Sequence, residues 1–392
     1  MKIKLFFFAF FCFQFFAFSQ QLTLSPDTQI SVLTIGPGTS LNDAFGHNAF
    51  RVKDNSYGID LVYGYGEYDF DAPNFYLKFA QGKLNYLLSK DNYDRFYKYY
   101  VYQDRTISEQ ILNLSQGEKQ HLFNFLQENY KPENRRYLYD FFYDNCATKM
   151  RDVLELAKES KLNFPLTEDY EPKTFRNLIH EHVNRNTWGS FGIDIALGSV
   201  IDKEATPYEQ MYLPKYIYEF FKTATFDSSH KLVRKSQILY RQKGNSTSKL
   251  NVLFSPLIVM SILAFIILFI TYSDYKKQKR SRWLDIVLCS ITGLIGLCIL
   301  LLWFATDHSA TAQNYNVLWA CPLNLFIIVQ LTRKKVKSWV INYLKFLIIM
   351  LCLLTLHWLV GIQIYAIGLI PLLIALGIRY IFLVYFFKKS TI

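Results

Sequence analysis

A lone cysteine near several histidines is the chemistry this sequence offers. In YDFFYDNCATKMRD, Tyr139 to Asp152, Cys146 follows two good helix N-cap residues, Asp144 and Asn145. CATKMRDVLELAKES reads as an amphipathic helix with Cys146, Met150, Val153, Leu154 and Ala157 along one side. A thiol in the first turn lies near the positive end of the helix dipole, which favours the thiolate, the nucleophilic form. The same position also suits a buried cysteine on the apolar side of an ordinary helix, and a single Cys does not choose between the two.

A thiol nucleophile needs a base, and His47, His121, His180, His182 and His230 precede Leu250. His121 sits beside the apolar stripe of Leu122, Phe125 and Leu126, and His180 and His182 alternate on a predicted helix, where they point apart. His47 stands in FGHNAFRVKDNSYGIDLVYGYG, two predicted strands around a Lys-Asp-Asn-Ser turn signal. With Asp54-Asn55 as the turn centre, His47, Ala49, Arg51, Gly58, Asp60 and Val62 share one face. Asp60 then lies diagonal to His47, about 7 Å away between backbones, as an orienting acid would. The alternative makes Asp60 the cross-strand partner of Arg51.

Where these residues sit depends on the rest of the chain. MKIKLFFFAFFCFQFFAFSQQ has the basic, apolar and small-x-small order of a secretory signal peptide, with cleavage expected after Ser19. After Asn251 the chain is mostly apolar, and segments at 251–272, 284–304, 315–331, 339–360 and 364–387 are long enough, or nearly so, to cross ~30 Å of hydrocarbon. Between them, Lys276 to Arg282, Arg333 to Lys337 and the Lys388-Lys389 tail are basic, whereas Ala305 to Asn316 and Gly361 to Ile364 have no Lys or Arg. Lys and Arg collect in cytoplasmic loops. The expected topology is therefore five spans in a bacterial inner membrane, with residues 20–249 in the periplasm and the C-terminus in the cytoplasm. The net charge of +11 follows from this, since 13 basic and 3 acidic residues lie after Leu250. A nucleic-acid partner is not expected.

The cysteines sort accordingly. Cys12 belongs to the signal peptide, and Cys289, Cys298, Cys321 and Cys352 fall in predicted spans, where cysteine acts as a small hydrophobe. Cys146 is left alone in an exported domain, where structural cysteines normally pair. That domain reads as α+β, with a strand at Gln29 to Gly36, the His47 hairpin, then mainly helices such as Ser115 to Tyr130 and Cys146 to Lys161. GNSTSKLN, Gly244 to Asn251, is a linker to the membrane. Dense aromatics, as in DNYDRFYKYYVYQ, suit either a core or a surface at headgroup level.

FGHNAFRV, GIDLVYGYGEYDFDAPNFYLKFAQGKLNY, YLYDFFYDNCATKMRD and WGSFGIDIALGSVIDKEATPYEQMYLPKY resemble the Lnb-type N-terminal periplasmic domain family. FATDHSATAQNYNVLWACPLNL resembles the membrane half of the same proteins. The resemblance implies a lipoprotein N-acyltransferase with a permuted papain-like Cys/His domain on an all-α membrane domain. Cys146 takes the nucleophile's place, His47 the base's, and Asp60 is inferred as the third member. The expected partners are a membrane phospholipid as acyl donor and a lipoprotein as acceptor, and the chemistry requires no metal or diffusible cofactor. Asp144, Asn145 and Arg151 around the thiol, and Asp307, His308, Asn314 and Asn316 in the exported loop, are candidate substrate contacts. A papain-like peptidase, a peptidoglycan amidase and a non-enzymatic envelope protein are the other classes the same residues allow.

Overall fold

The computed structural model describes residues 22–158, 161–166, 170–226, 230–244 and 252–391. The expected signal peptide and most of the expected linker lie outside them. Nine strands form in the first half: β1 (Gln29–Ile35), β2 (His47–Asp54), β3 (Ile59–Tyr68), β4 (Asn85–Asn92), β5 (Ile107–Leu112), β6 (Arg136–Leu138), β7 (Lys173–Thr174), β8 (Glu204–Ala205) and β9 (Val233–Tyr240). Seven make one antiparallel sheet in the order β6-β4-β3-β2-β1-β5-β9. The helices between them are α1 (Phe75–Gln81), α2 (Tyr93–Tyr102), α3 (Gln116–Tyr130), α4 (Thr148–Lys158), α5 (Phe175–His180), α6 (Trp188–Ala196), α7 (Pro207–Gln210) and α8 (Pro214–Phe221).

Both faces of the sheet are covered. Val32, Phe50, Val52, Tyr63 and Tyr65 pack with Leu122 and Leu126 of α3, Met150 and Leu154 of α4, and Ile217 and Phe221 of α8. On the opposite face, Leu33, Ala49 and Val62 meet Tyr93 and Phe96 of α2, and Ile35 and Ile107 meet Tyr100. Strands covered on both faces lose the alternating polar pattern. That loss fits β5, which is buried along nearly its whole length; where mainly helices were expected after the hairpin, the fold also adds β4, β6 and β9.

The hairpin register also departs from expectation. Asp54 pairs with Ile59 across a four-residue turn, with Lys53 opposite Asp60 and Ala49 opposite Gly64. Asp54 cannot sit at an exposed turn centre because its buried carboxylate accepts bonds from Ser25 N, Ser25 Oγ and Thr28 Oγ1 at 2.6–2.9 Å. The helix after Cys146 begins at Thr148.

The second half is helical: α9 (Pro256–Lys277), α10 (Arg282–Phe304), α11 (Asn324–Leu331), α12 (Trp339–Val360) and α13 (Leu369–Thr391). Of these, α9, α10, α12 and α13 are long and apolar enough to cross a membrane. The span expected at 315–331 is not one helix but a 3-10 turn at Tyr315–Leu318, a bend, and the short α11. The broken segment runs the length of α10. At one end Asn316 bonds the Asp194 carbonyl of the first half, and at the other Arg280 donates to the carbonyls of Leu331 and Arg333. It fits against α10 through Gly296, where an added Cβ would lie 1.8 Å from the Ala320 carbonyl oxygen. Asn324 Nδ2, next to that bend, donates to Thr292 Oγ1 of α10 at 2.8 Å, which ties the short helix to its neighbour inside the bundle.

Candidate active site

β2 begins at His47 and stays paired with β1 from there, but it pairs with β3 only from Ala49 onward. The two strands therefore part at one end of the sheet, where β3 carries Gly64 and, at a bulge, Gly66 with φ +93°. The turn holding Cys146 is seated at this opening. A Cβ on Gly64 would lie 3.3 Å from His47 Nε2, and one on Gly66 would lie 3.6 Å from Cys146 Cβ and 3.6 Å from the Tyr139 ring. Absent side chains at these two positions leave room for the imidazole and the thiol.

Asn145 fixes the turn. Its Oδ1 accepts from Ala147 N and Thr148 N at 2.8 and 2.9 Å, and its Nδ2 donates to the Phe141 and Tyr212 carbonyls. All its bonding capacity is spent on the chain, so this expected substrate contact is a helix cap. Asp144 pairs with Lys149 at 2.7 Å. Arg151 bonds Asp152 and the Tyr208 carbonyl and stacks on the Tyr208 ring at 3.5 Å. Neither Asp144 nor Arg151 lines the cavity in front of Cys146.

That cavity, of about 1170 Å³, is lined by His47, Gly64, Gly66, Glu67, Tyr100, Arg105, Tyr139 and Cys146 from the first half of the chain. Asp307, His308, Ser309, Ala310 and Thr311, from the connection between α10 and the broken segment, complete it. This connection is bonded to α1 through Asp307 N to the Gln81 carbonyl and between His308 Nε2 and the Phe79 carbonyl. Ser309 Oγ donates to Asp140 Oδ2 at 2.7 Å. Two of the four loop candidates, Asp307 and His308, thus face the cavity. The other two do not: Asn314 Nδ2 donates to the Ile195 and Ala196 carbonyls and Asn316 Nδ2 to the Asp194 carbonyl, both side chains being fully buried. They join the membrane bundle to the end of α6.

Asp60 lies elsewhere. It accepts from Arg51 Nε and Nη2, both at 2.7 Å, and Arg51 also pairs with Glu109. Continuing the register places His47 opposite Gly66, six residues beyond Asp60 along β3, which at ~3.3 Å per residue is about 20 Å away. His47 instead stacks against the Tyr100 ring, with centroids 6.5 Å apart. Of the carboxylates that line the cavity, Glu67 bears electrostatically on Cys146; desolvation and then Asp91 raise its pKa. Nothing in the sequence marked Glu67, because its place follows from the β3 bulge between Tyr65 and Glu67.

Burial governs the electrostatics of the pair. It lowers the His47 pKa to about 4, with the nearby Arg105 charge adding to the effect. It raises the Cys146 thiol to about 11, against backbone N–H groups of Asn48, Cys146 and Ala147 that favour the thiolate. The helix-terminus effect expected from sequence is outweighed by desolvation. At neutral pH both groups are uncharged, and the imidazole has a free lone pair to accept a proton. Among the described residues, no group of His, Cys, Asp and Glu is arranged to hold a metal ion.

A sheet domain whose thiol and imidazole open into one cavity, closed by a loop of a membrane-helix bundle, defines a membrane-tethered class of thiol-site proteins. The Lnb N-terminal periplasmic domain family matches residues 18–181 and the Lnb transmembrane domain family matches residues 247–391. The chain belongs to the Lnb family, with its first half periplasmic and its second half in the membrane. Comparison with curated proteins and with solved structures returned no match.

Proposed function

We propose that this protein is a membrane-bound lipoprotein N-acyltransferase that carries its acyl group as a thioester on Cys146. The observation that carries the reading is the cavity itself, in which Cys146 and His47 share a wall with Asp307 and His308 of the bundle. A site closed by a loop between membrane spans is placed for substrates held in the bilayer. Support also comes from α1, which has no buried residue and exposes Tyr76, Leu77 and Phe79 beside that loop; apolar and aromatic side chains there suit the lipid interface. A thiol at the start of a helix and a histidine on a neighbouring strand also fit a permuted papain-like arrangement.

In the proposed chemistry His47 Nε2 takes the Cys146 proton as sulfur attacks an ester carbonyl of a phospholipid. The tetrahedral intermediate expels the glycerol oxygen, which takes the proton from His47 and leaves as a lysophospholipid. The α-amine of a lipoprotein's lipid-modified N-terminal cysteine then attacks the thioester, passing a proton through His47 to the departing sulfur. The product is an amide, and the thiol is restored. Backbone N–H groups near Cys146 serve the oxyanion, a contact worth roughly 3 kcal/mol in a preorganised site.

The broken segment counts as a fifth crossing in this reading, since its two ends lie at opposite ends of the bundle. The basic loops meet at one end, where Lys389 Nζ also donates to Gln278 Oε1 at 2.9 Å. That end is cytoplasmic by the positive-inside rule, in a bacterial inner membrane. The test is mass spectrometry of lipoprotein N-terminal peptides from cells that depend on this protein. Cys146→Ala and His47→Ala should each remove the amide-linked chain and leave both glycerol-linked chains. Unchanged lipoproteins with altered peptidoglycan fragments would overturn the proposal in favour of an amidase.

A further inference from the structure

The cavity holds a second polar feature that the Cys146 and His47 chemistry does not use. Arg105 follows Asp104, whose left-handed backbone (φ 52°) is fixed by bonds to its carboxylate from Tyr240 OH, Lys243 N and Gly244 N. Arg105 is 4% exposed and is one of the residues that line the cavity. Its Nε donates to the Gly36 carbonyl at 2.9 Å, its Nη1 bonds Gln103 Oε1 at 3.3 Å, and Asp43 Oδ1 lies 3.9 Å away. The Tyr100 ring supports it at 5.0 Å. Its Nη2, buried, has no hydrogen-bond partner among the described residues. A buried guanidinium donor left without an acceptor is costly. The remedy is an acceptor supplied from the cavity.

We propose that Arg105 binds the phosphate oxyanion of the acyl donor, a glycerophospholipid whose phosphodiester meets the guanidinium while its ester reaches Cys146. The proposal rests on the acyl-transfer reading and assigns a residue to recognition of the phospholipid donor named there. Arg105 and His47 pack against the same Tyr100 ring and line the same cavity, so anion site and base adjoin. In a glycerophospholipid only a few bonds separate the phosphodiester from the acyl esters, which matches an anchor beside the base. The lipid-modified cysteine of the acceptor carries glycerol esters too, but no phosphate. An oxyanion requirement at Arg105 therefore selects the phospholipid as donor and spares the lipoprotein's own esters.

The test uses full-length Cys146→Ala protein in neutral-detergent micelles, so that binding is read without turnover. Dihexanoyl phosphatidylglycerol should bind about ten- to a hundredfold more tightly than dihexanoylglycerol, the range expected for a charge-assisted bond. Arg105→Gln should erase the difference while the thermal midpoint stays near that of the parent, and Arg105→Lys should keep part of it. Equal affinity for the two lipids in the parent protein overturns the proposal, whether or not Arg105→Gln folds. An unchanged preference in folded Arg105→Gln overturns it as well. Inorganic phosphate alone binding as tightly as the phospholipid would show a free-phosphate site and also overturn it. Since no thioester is involved, failure of Cys146 to acquire an acyl group would sink the transfer reading and leave this result standing.

Discussion

Cys146 and His47 rest uncharged at neutral pH because both are desolvated, so in the proposed transfer the thiol is activated only when its proton is taken in the act of attack. The pH dependence follows from the directions of the two shifts. His47 falls from 6.5 to about 4 on folding, so the unfolded chain binds more protons between those values and stability drops as pH falls through that window. Cys146 rises from 9.0 to about 11, so the folded state keeps its proton longer and stability drops as pH rises from about 9 to about 11. Alkylation of Cys146 by iodoacetamide, followed by peptide mass spectrometry, should keep accelerating toward pH 11; a plateau reached near 9 would contradict the burial argument. Asp60→Asn should leave this profile unchanged, because Asp60 bonds Arg51 and lies far from His47. Cys146 and His47 were legible as residues worth pairing, from one unpaired exported thiol and one histidine on a strand, and both line the same cavity. The thiol's charge state was not, because desolvation is a property of the packed site and the helix dipole is visible in the sequence alone.

The elements explain how a site can sit at a sheet end. β2 and β3 part beyond Ala49 and Gly64, and Gly64 supplies the floor for the imidazole. Its backbone needs no left-handed conformation, but an added Cβ would meet His47 Nε2 at 3.3 Å and Ser89 Oγ at 3.2 Å. Gly64→Ala should therefore leave the fold and membrane insertion intact while displacing the ring, with thioester formation at Cys146 slowed about tenfold or more, as for other small misplacements of catalytic groups. Wild-type rates in that variant would show that the imidazole tolerates the crowding. The two faces of the hairpin were readable from the period of two, and Arg51 and Asp60 do share one. The register was not readable, because it is set by Ser25 and Thr28 pulling Asp54 inward, contacts that lie more than 20 residues away in sequence. The same limit hid β4, β5 and β9, whose partners are distant in the chain.

Across the whole molecule, the cavity draws its wall from both halves. Asn314 and Asn316 hold the bundle to α6, the Asp202 carboxylate accepts from Ile364 N at 3.3 Å, and Arg176 bonds that carboxylate and Asp194 from within the first half. Gly198 passes so close to the loop that an added Cβ would lie 1.8 Å from the Ala312 carbonyl oxygen. The sequence showed the polar loop and placed it on the outer side of the membrane, yet it could not divide its residues between joint and cavity wall. Asn316 is the sharpest probe of the joint. Its amide donates to the Asp194 carbonyl and accepts from Trp319 Nε1 at 2.8 Å, so Asn316→Leu leaves a buried carbonyl and a buried indole N–H unpaired, at a cost of about 1–3 kcal/mol each. Neither group touches the Cys146 pocket. The expected outcome is a lower thermal midpoint together with slowed thioester formation, because the wall at Asp307 to Thr311 loses its anchor, while far-UV dichroism at low temperature stays that of the parent. His308→Ala removes a wall residue and leaves the joint intact, so it should slow the transfer with the midpoint unchanged. If Asn316→Leu lowered the midpoint and left the rate at the parent's value, the bundle would be an anchor only, and the cavity would work without it.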